Sequence, residues 1–224
     1  MQNKRTEKIL KLLEDNYPAA KTALKFANPW ELLVATILSA QCTDKRVNIV
    51  TEKLFKKYPG VKSFANAKQE NFEKDIHSTG FYKNKTKNII SSAKMLIKEF
   101  KGKVPGTMDD LLKLPGVARK TANVVTYNAF GKIYGITVDT HVGRLAQRLG
   151  FTKEKNAGKI ESDLMKIFPK NSWGRISHLL IEHGRKSCKA KNPACETCFL
   201  NNLCPKKLTR NETNMFASGD RKKG

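Results

Sequence analysis

The chain of 224 residues is long enough for one substantial hydrophobic core or two smaller ones, and 39% of its residues are hydrophobic. Its longest apolar run, near Leu32–Leu38, is too short to cross a bilayer, which excludes a membrane-spanning protein. The 43 Lys and Arg residues against 20 Asp and Glu give a formal charge of +23. This charge favours a polyanionic partner such as nucleic acid, although an anionic membrane surface or general solubility would also account for it.

Both ends of the chain are polar. Met1–Glu14 is charged throughout and lacks an apolar stretch followed by a cleavage site, which predicts that there is no signal peptide. We therefore expect a cytoplasmic protein, which would be associated with the nucleoid if its partner is DNA. No basic amphipathic helix with a broad aromatic face stands out, which disfavours the membrane surface. Residues 207–224 are basic and contain Gly, Ser and Asn, so we expect a disordered basic tail.

Almost every periodic stretch has helical spacing. The apolar residues between Trp30 and Leu38 recur at the spacing of one buried helix face, and a new stripe starts after a break near Thr43-Asp44. Only Ile133–Val138 has the composition of a strand, and one strand cannot form a sheet. The sequence therefore predicts an all-α fold of about ten helices. Further helical stripes are Ile89–Phe100, Ile160–Phe168 with Asn156 as N-cap, and Trp173–His183.

The stretch from Thr107 to Val125 predicts two short helices joined by a tight turn. Thr107 with Asp110 three residues later marks a helix start, and Pro115-Gly116 ends that helix before a second one begins near Ala118. Amide groups in the first turn of the second helix have no intrahelical acceptor, and together with the helix dipole they suit a phosphate. An ordinary helical hairpin that binds nothing is the alternative.

Lys120 falls in the first turn of the second helix, where a lysine does not complement the helix dipole. It is either one more solvated or phosphate-contacting lysine or a nucleophile. An amine attacks only when it is neutral, and an ordinary pKa of about 10.4 leaves roughly one molecule in 2,500 neutral at pH 7. A helix N-terminus and partial burial both disfavour the ammonium form, so this position suits a reactive lysine.

Asp139 lies directly before the helical pattern of Val142, Leu145 and Leu149. Its carboxylate is expected to be the N-cap of that helix, and this cap alone would explain the residue. A capping carboxylate can also face a cleft, so a catalytic role is compatible with the cap.

Four of the five cysteines fall in one short segment with the spacing Cys188-x6-Cys195-x2-Cys198-x5-Cys204. In a reducing compartment, clustered thiols are more often metal or cluster ligands than disulfides. Four thiolates this close suit either zinc or an iron–sulfur cluster, and thiol chemistry alone does not decide between them. Cys42 stands apart and is expected to be a packed thiol.

These segments, in this order, resemble the helix-hairpin-helix DNA glycosylases and, among them, the endonuclease III family most closely. The hairpin Leu114–Val125 followed by Val138–Val142 carries the resemblance, which covers the chain from about residue 5 to residue 206. Glu31–Asp44 is similar to the second helix of that family, Thr79–Lys85 to its wedge loop, and Ile181–Arg185 to the segment that leads into the cysteines.

The resemblance implies a bilobal all-α fold in which Lys120 and Asp139 face each other across a cleft. Residues 22–132 would form a six-helix domain that carries the hairpin, and residues 1–21 would pack with residues 133–206 as an iron–sulfur cluster domain. The cofactor that the resemblance implies is a [4Fe–4S] cluster held by the four clustered cysteines.

The implied activity is that of a DNA glycosylase that is also an abasic-site lyase in base excision repair, with oxidised pyrimidines as the expected substrates. Lys120 would attack the sugar C1′, displace the base and form an imine, and β-elimination would then cut the strand. Asp139 would stabilise positive charge on the sugar and assist proton transfer. Gln41 and Phe81 would enter the stack vacated by the flipped base, although Phe81 replaces the leucine expected there and could instead pack in the core.

The implied partner is double-stranded DNA that contains damaged bases or abasic sites, bound by a monomer. Ala118 replaces the second glycine of the usual hairpin, and we expect it at ordinary helical angles, where alanine is harmless. The rival functions are a non-enzymatic DNA-binding module with a structural metal, an adenine glycosylase of the same superfamily, and a zinc-stabilised regulator. Besides Gln41 and Phe81, the DNA-contacting residues that the resemblance implies are Gly116, Ala118, Arg119, Thr121, His141, Lys189 and Lys191.

Overall fold

The computed structural model describes residues 2–205, so the basic tail at residues 207–224 lies outside the described residues. Over the described range the chain forms eleven α-helices, three short 3₁₀ helices and no strand, which confirms the all-α prediction. The α-helices are α1 (Gln2–Asn16), α2 (Pro29–Leu38), α3 (Asp44–Lys57), α4 (Gly60–Ala65), α5 (Gln69–Ile76), α6 (Tyr82–Glu99), α7 (Met108–Leu112), α8 (Arg119–Phe130), α9 (Thr140–Arg148), α10 (Ala157–Ile167) and α11 (Trp173–Lys186), and the 3₁₀ helices are η1 (His77–Thr79), η2 (Lys170–Ser172) and η3 (Asn201–Leu203).

The described residues fold into two compact units, each with its own hydrophobic core. The central unit is Thr22–Tyr134, and the terminal unit combines the described residues up to Lys21 with those from Gly135 onward. The second division therefore lies two residues later along the chain than the predicted boundary between residues 132 and 133. Helices α2 to α8 belong to the central unit, and α1 and α9 to α11 belong to the terminal unit.

Helix α2 is almost entirely apolar and buried, and it forms much of the core of the central unit. Its start is fixed by Asn28, whose side chain accepts the backbone N–H of Glu31 at 3.0 Å, while the Glu31 carboxylate accepts the N–H of Ala27 at 2.6 Å. Helices α4 and α5 bury Phe64 and Phe72 in the same core. They are absent from the sequence prediction because helices of six and eight residues are too short to show a clear period.

Two further helix starts lie where the sequence predicts them. The break near Thr43-Asp44 is the start of α3, where the Thr43 hydroxyl accepts the N–H of Arg46 at 3.3 Å. Asn156 caps α10 by accepting the N–H groups of Gly158 and Lys159. Both caps satisfy amide groups that a helix leaves without intrahelical partners.

Helix α1 packs in the terminal unit, where Ile9 and Leu13 are fully buried. The guanidinium group of Arg5 donates hydrogen bonds to the carbonyl oxygens of Leu149 and Leu203, which ties α1 to the segment that carries the clustered cysteines. Between residues 2 and 205, no helix combines the length and the apolar character needed to cross a membrane.

Candidate functional site

Helices α7 and α8 form the predicted hairpin, and the turn between them depends on Gly116. This glycine has a φ of +79°, a left-handed conformation that residues with a Cβ rarely adopt. A Cβ at this position would lie 2.8 Å from side-chain atoms of Asn88 on α6. Ser92, on the same helix, donates a 2.8 Å hydrogen bond to the carbonyl oxygen of Pro115. The turn is therefore fixed against α6.

The two helices of the hairpin begin differently, because only α7 has a side-chain cap. Thr107 is the N-cap of α7 and accepts the N–H of Asp110 at 3.3 Å, as predicted. Ala118 is the N-cap of α8, with φ −93° and ψ 170°, and no side chain caps this helix. The expectation that Ala118 has helical angles is wrong, because the residue lies one position before the helix and is extended. Its φ is nevertheless negative, so alanine causes no backbone strain, and the first-turn amides of α8 have no capping side chain.

Lys120 is the second residue of α8, and its side chain is exposed. The predicted partial burial is therefore wrong, because the buried face of α8 contains Ala122 and Val125 and does not include the first turn. Arg119 beside it is also exposed, and Thr121 is half-buried. The hairpin thus combines an accessible primary amine with the positive end of a helix dipole.

Gln41 and Phe81 occupy two loops of the central unit and share an unusual backbone conformation. Their φ angles are 53° and 49°, both in the left-handed region, and both side chains are exposed. Phe81 is 62% exposed, so the alternative that it packs in the core is wrong. Phe81 is the most exposed large hydrophobic side chain of the described residues, which suits a side chain that inserts into a partner.

Asp139 belongs to the terminal unit and is the N-cap of α9, as predicted. Its Oδ1 accepts the N–H of Val142 at 2.8 Å, and the residue is half-buried. In the first turn of the helix, the half-buried His141 uses its Nδ1 in a 3.2 Å contact with Arg144. The cap fixes the carboxylate at the start of the helix, where the dipole favours a negative charge.

The sequence did not reveal two charged or titratable residues close to Asp139. Burial lowers the pKa of the Arg144 guanidinium and of the His178 imidazole, and in both cases the negative charge of Asp139 opposes the shift. His178 is therefore mainly uncharged at neutral pH. Neither residue belongs to a motif that the sequence shows. His178 lies on α11 and comes close to Asp139 only when α11 packs against α9.

Helix α9 also connects Asp139 to the segment of clustered cysteines. Arg144 donates to the carbonyl oxygens of Gly184 and Cys188 at 3.2 and 3.1 Å. At the end of the helix, Arg148 donates to the carbonyl oxygen of Lys189 at 2.7 Å and approaches the Cys188 Sγ at 3.4 Å. These arginines hold the loop after Cys188 against α9, and its two lysines, Lys189 and Lys191, are exposed.

The four clustered cysteines line one cavity of the terminal unit, and none of them is in a disulfide. Burial raises the pKa of the Cys198 thiol, the N–H of Leu200 lowers it, and the other three clustered cysteines raise it further. Thiols are soft ligands, and these four line the same cavity. Cys42, by contrast, packs against the core of the central unit. The cysteines of the cavity are Cys188, Cys195, Cys198 and Cys204.

The surroundings of this cavity suit an iron–sulfur cluster. Leu149, Ala194 and Leu200 contribute to an apolar lining, and His183 lies 3.6 Å from the Cys198 Sγ through its Nε2. Burial lowers the pKa of His183 to about 4, and Tyr17 Oη lies 3.0 Å from its Nδ1, so the ring is neutral at pH 7. Thiolates within a mostly apolar shell are the usual environment of such clusters.

Comparison with protein families identifies both the region that contains the hairpin and the segment of clustered cysteines. Residues 34–170 match the HhH-GPD superfamily of base excision DNA repair proteins. Residues 188–204, which contain the four clustered cysteines, match the iron–sulfur binding domain of endonuclease III. The first match includes Gln41, Phe81, Lys120 and Asp139.

Several relatives are similar over nearly the whole chain. Endonuclease III of Synechocystis sp. is 51% identical over 204 residues, which cover 91% of this chain and 93% of that protein. Endonuclease III of Bacillus subtilis is 46% identical over 202 residues, covering 90% and 92%. Among solved structures, a non-covalent endonuclease III–DNA complex aligns with a TM-score of 0.88 at 42% identity, covering 96% of this chain and 99% of that one. A trapped endonuclease III–DNA covalent intermediate aligns with a TM-score of 0.85 at 43% identity, covering 94% and 98%.

The family follows from the combination of the hairpin, the cysteine cavity and relatives of this similarity. The chain belongs to the endonuclease III family of the HhH-GPD superfamily of base excision DNA repair proteins, and it carries the iron–sulfur binding domain of that family.

Proposed function

We propose that Lys120 is the nucleophile of this enzyme and that Asp139 assists it in removing damaged bases from duplex DNA. As a member of the endonuclease III family, the protein is a bifunctional DNA glycosylase and abasic-site lyase of base excision repair. The observation that carries the assignment of Lys120 is its place as an exposed amine in the first turn of α8. A relative 43% identical to this chain has been trapped as a covalent intermediate with DNA, which supports a covalent mechanism.

The proposed reaction begins with attack of the neutral Lys120 amine on the sugar C1′. The C1′–N bond to lysine forms as the bond to the base breaks, and the base leaves with the bonding electrons and then takes up a proton. Opening of the sugar ring gives an imine, which acidifies the 2′ hydrogen. Loss of that proton expels the 3′ phosphate by β-elimination and cuts the strand, and water then releases the lysine from the imine.

In this mechanism, Asp139 provides a negative charge that stabilises the cationic sugar as the base departs, and it accepts or returns protons in the later steps. Its hydrogen bond from Val142 and its position at the start of α9 support this role, because they hold the carboxylate in one orientation at the positive end of the helix dipole.

The hairpin binds the DNA backbone in this proposal. A phosphate binds to the amides of the turn at Gly116 and Ala118 and of the uncapped first turn of α8, and this contact does not depend on the base sequence. The exposed Arg119 and the half-buried Thr121 extend the contact. In the terminal unit, His141, Lys189 and Lys191 are proposed to contact DNA as well.

Gln41 and Phe81 are proposed to fill the space that the flipped nucleotide leaves. Gln41 offers a donor and an acceptor to the orphaned partner base, and Phe81 provides an apolar wedge. Their exposure supports this role, since both side chains are accessible to a partner.

The cluster is proposed to be of the [4Fe–4S] type, held by the four clustered cysteines. Cys188, Cys195, Cys198 and Cys204 would hold it, and it would then support the basic loop of Lys189 and Lys191. Arg148 holds the same loop by its main-chain carbonyls. We assign no step of base removal to the cluster.

The proposed partner is double-stranded DNA that contains oxidised pyrimidines or abasic sites, bound by a monomer on the nucleoid in the cytoplasm. The formal charge of +23 supports a polyanionic partner.

Borohydride reduction in the presence of a duplex with one abasic site tests the proposed lysine. The wild-type chain should form a covalent adduct, and Lys120→Ala should form none, because reduction fixes only an imine. Lys113→Ala is the control, since Lys113 is an exposed lysine of the same hairpin that pairs with Asp110 at 2.7 Å. An adduct that persists in Lys120→Ala would overturn the assignment, and no adduct with the wild type would overturn the lyase function.

A further inference from the structure

Lys85 is a buried lysine whose ammonium group is fully used by the main chain. Only 4% of the residue is exposed, although lysine is almost never buried without a partner. Its Nζ donates hydrogen bonds of 2.8 Å to the carbonyl oxygens of Leu38, Ala40 and Thr79. An ammonium group has three N–H donors, so these three bonds exhaust its capacity.

The three carbonyl groups lie at the ends of two different helices. Leu38 is the last residue of α2, Ala40 follows two residues later, and Thr79 is the last residue of η1. The last carbonyls of a helix have no intrahelical donor, and the helix dipole makes this end negative. A single cation therefore satisfies orphaned carbonyls of two helix ends and fixes the distance between them. Burial lowers the pKa of Lys85, and the nearby Cys42 opposes that shift.

Each of these helix ends leads into one of the two proposed insertion residues. Ala40 is followed by Gln41, with φ 53°, and Thr79 is followed by Gly80 and then Phe81, with φ 71° and 49°. Left-handed backbone at residues with a side chain costs free energy and persists only where the surroundings impose it. The backbone N–H of Lys85 donates to the carbonyl oxygen of Phe81 at 3.1 Å as the first hydrogen bond of α6, so Phe81 is the N-cap of the helix that carries Lys85.

We propose that Lys85 is a positioning residue that holds Gln41 and Phe81 in a fixed spatial relation, so that both side chains enter the vacated base stack together. The inference rests on the proposed function, in which these two side chains insert into DNA. Lys85 itself does not touch the DNA, because its ammonium group is buried and its donors are occupied by main-chain carbonyls.

A role limited to stability makes a different prediction. If Lys85 only stabilises the fold, its loss should cost the same activity whether or not the insertion side chains are present. If it acts through Gln41 and Phe81, its loss should matter only while they are present, which a double-mutant cycle measures.

The experiment uses Lys85→Met, which keeps a long unbranched side chain but removes the three donors. Lys94→Met is the matched control, because Lys94 is an exposed lysine of the same helix and its loss changes the net charge equally. The readout is the single-turnover rate of borohydride trapping on a duplex with one abasic site. Each substitution is made in the wild-type chain and in a Gln41→Ala/Phe81→Ala chain, with melting temperatures recorded for all.

We expect Lys85→Met to lower the trapping rate about tenfold in the wild-type background and less than about twofold in the Gln41→Ala/Phe81→Ala background. Lys94→Met should change neither rate. Equal losses from Lys85→Met in the two backgrounds, or no loss in the wild-type background, would overturn the proposal. If Lys85→Met does not fold, Lys85→Gln, which keeps two of the three donors, enters the same cycle with the same criteria.

Amide hydrogen exchange separates a failure of this inference from a failure of the proposed function. Lys85→Met should accelerate exchange at the amides of residues 39–43 and 79–82 together, and leave those of α8 unchanged. If Lys85→Met exchanges faster in both loops but the wild-type chain forms no adduct, the proposed function is contradicted and the proposal that Lys85 holds the two loops together is not. Unchanged exchange in either loop would contradict the proposal that Lys85 holds the two loops together.

Discussion

The Oδ1 atom of Asp139 accepts the backbone N–H of Val142 at 2.8 Å, so the carboxylate proposed for catalysis is also the N-cap of helix α9. Structural and catalytic roles are therefore combined in one side chain. They can be separated, because asparagine caps a helix about as well as aspartate but carries no charge.

Asp139→Asn should leave the melting temperature nearly unchanged and lower the single-turnover rate of base removal by roughly a hundredfold or more. Asp139→Ala should lower the rate similarly and also cost about 1 kcal/mol of stability, because the N–H of Val142 loses its acceptor. In a chain of this size that cost lowers the melting temperature by about 2–4 °C. Thermal unfolding and excision rates, measured on the same preparations, check both effects.

Asn156→Ala is the control for the cap. Asn156 caps α10 in the same unit, and we propose no catalytic role for it, so its loss should lower stability without lowering the excision rate. Full activity in Asp139→Asn would show that the cap alone accounts for Asp139.

Gly116→Ala should weaken binding to abasic-site DNA about tenfold, equivalent to about 1.4 kcal/mol. The added Cβ requires a left-handed backbone at φ +79° and would approach Asn88 to 2.8 Å, so the turn that positions the first amides of α8 has to move. Gly131→Ala provides a matched control. Gly131 has φ +66° at the other end of α8, and a Cβ there would meet no atom within 4 Å.

Stability and binding should respond differently in these two variants. Both should lose about 1 kcal/mol or more of stability from the left-handed alanine, and only Gly116→Ala should bind DNA more weakly. Fluorescence anisotropy titrations with labelled duplex measure the affinity. Equal affinities of Gly116→Ala and the wild type would show that the turn is not part of the proposed phosphate site.

Features that depend on a few neighbouring residues could be predicted from the sequence. Thr107, Asp139 and Asn156 were all expected to start helices, because a cap is formed by a side chain and amides two or three positions further along the chain. Ala118 was assigned the wrong backbone angles because the prediction placed the start of α8 one residue early, and helix ends are the least certain part of a periodic pattern.

Features that depend on packing between distant segments could not be predicted. The burial of Lys85 requires carbonyl groups that precede it by 45 and 47 positions, and nothing around residue 85 distinguishes it from the exposed lysines beside it. The contacts of Arg144 and Arg148 could not be predicted for the same reason, because their carbonyl acceptors lie about forty positions away in the chain. The exposure of Lys120 was missed because burial follows from which face of α8 packs inward, and the motif does not specify that.

The purified protein should contain about four iron atoms per chain and no zinc, since four thiolates of one cavity are proposed to hold a [4Fe–4S] cluster. Cys198→Ser should lose most of the iron and the associated visible absorption. Cys42→Ser should retain both, because Cys42 packs against the core of the central unit and does not line the cavity of the clustered cysteines. Metal analysis and absorption spectra decide the matter, and a colourless protein with one zinc would contradict the proposed cluster type.

The affinity for DNA should fall steeply with salt concentration, and Lys189 and Lys191 should account for part of that slope. Each lysine that neutralises a phosphate contributes about one to the slope of log K against log salt, so Lys189→Gln/Lys191→Gln should reduce its magnitude by about two. Lys159→Gln/Lys166→Gln removes the same charge from the same unit, but these lysines pair with Glu154 and Asp163. The control should therefore leave the slope nearly unchanged, whereas equal reductions in the two double variants would mean that net charge alone sets the salt dependence.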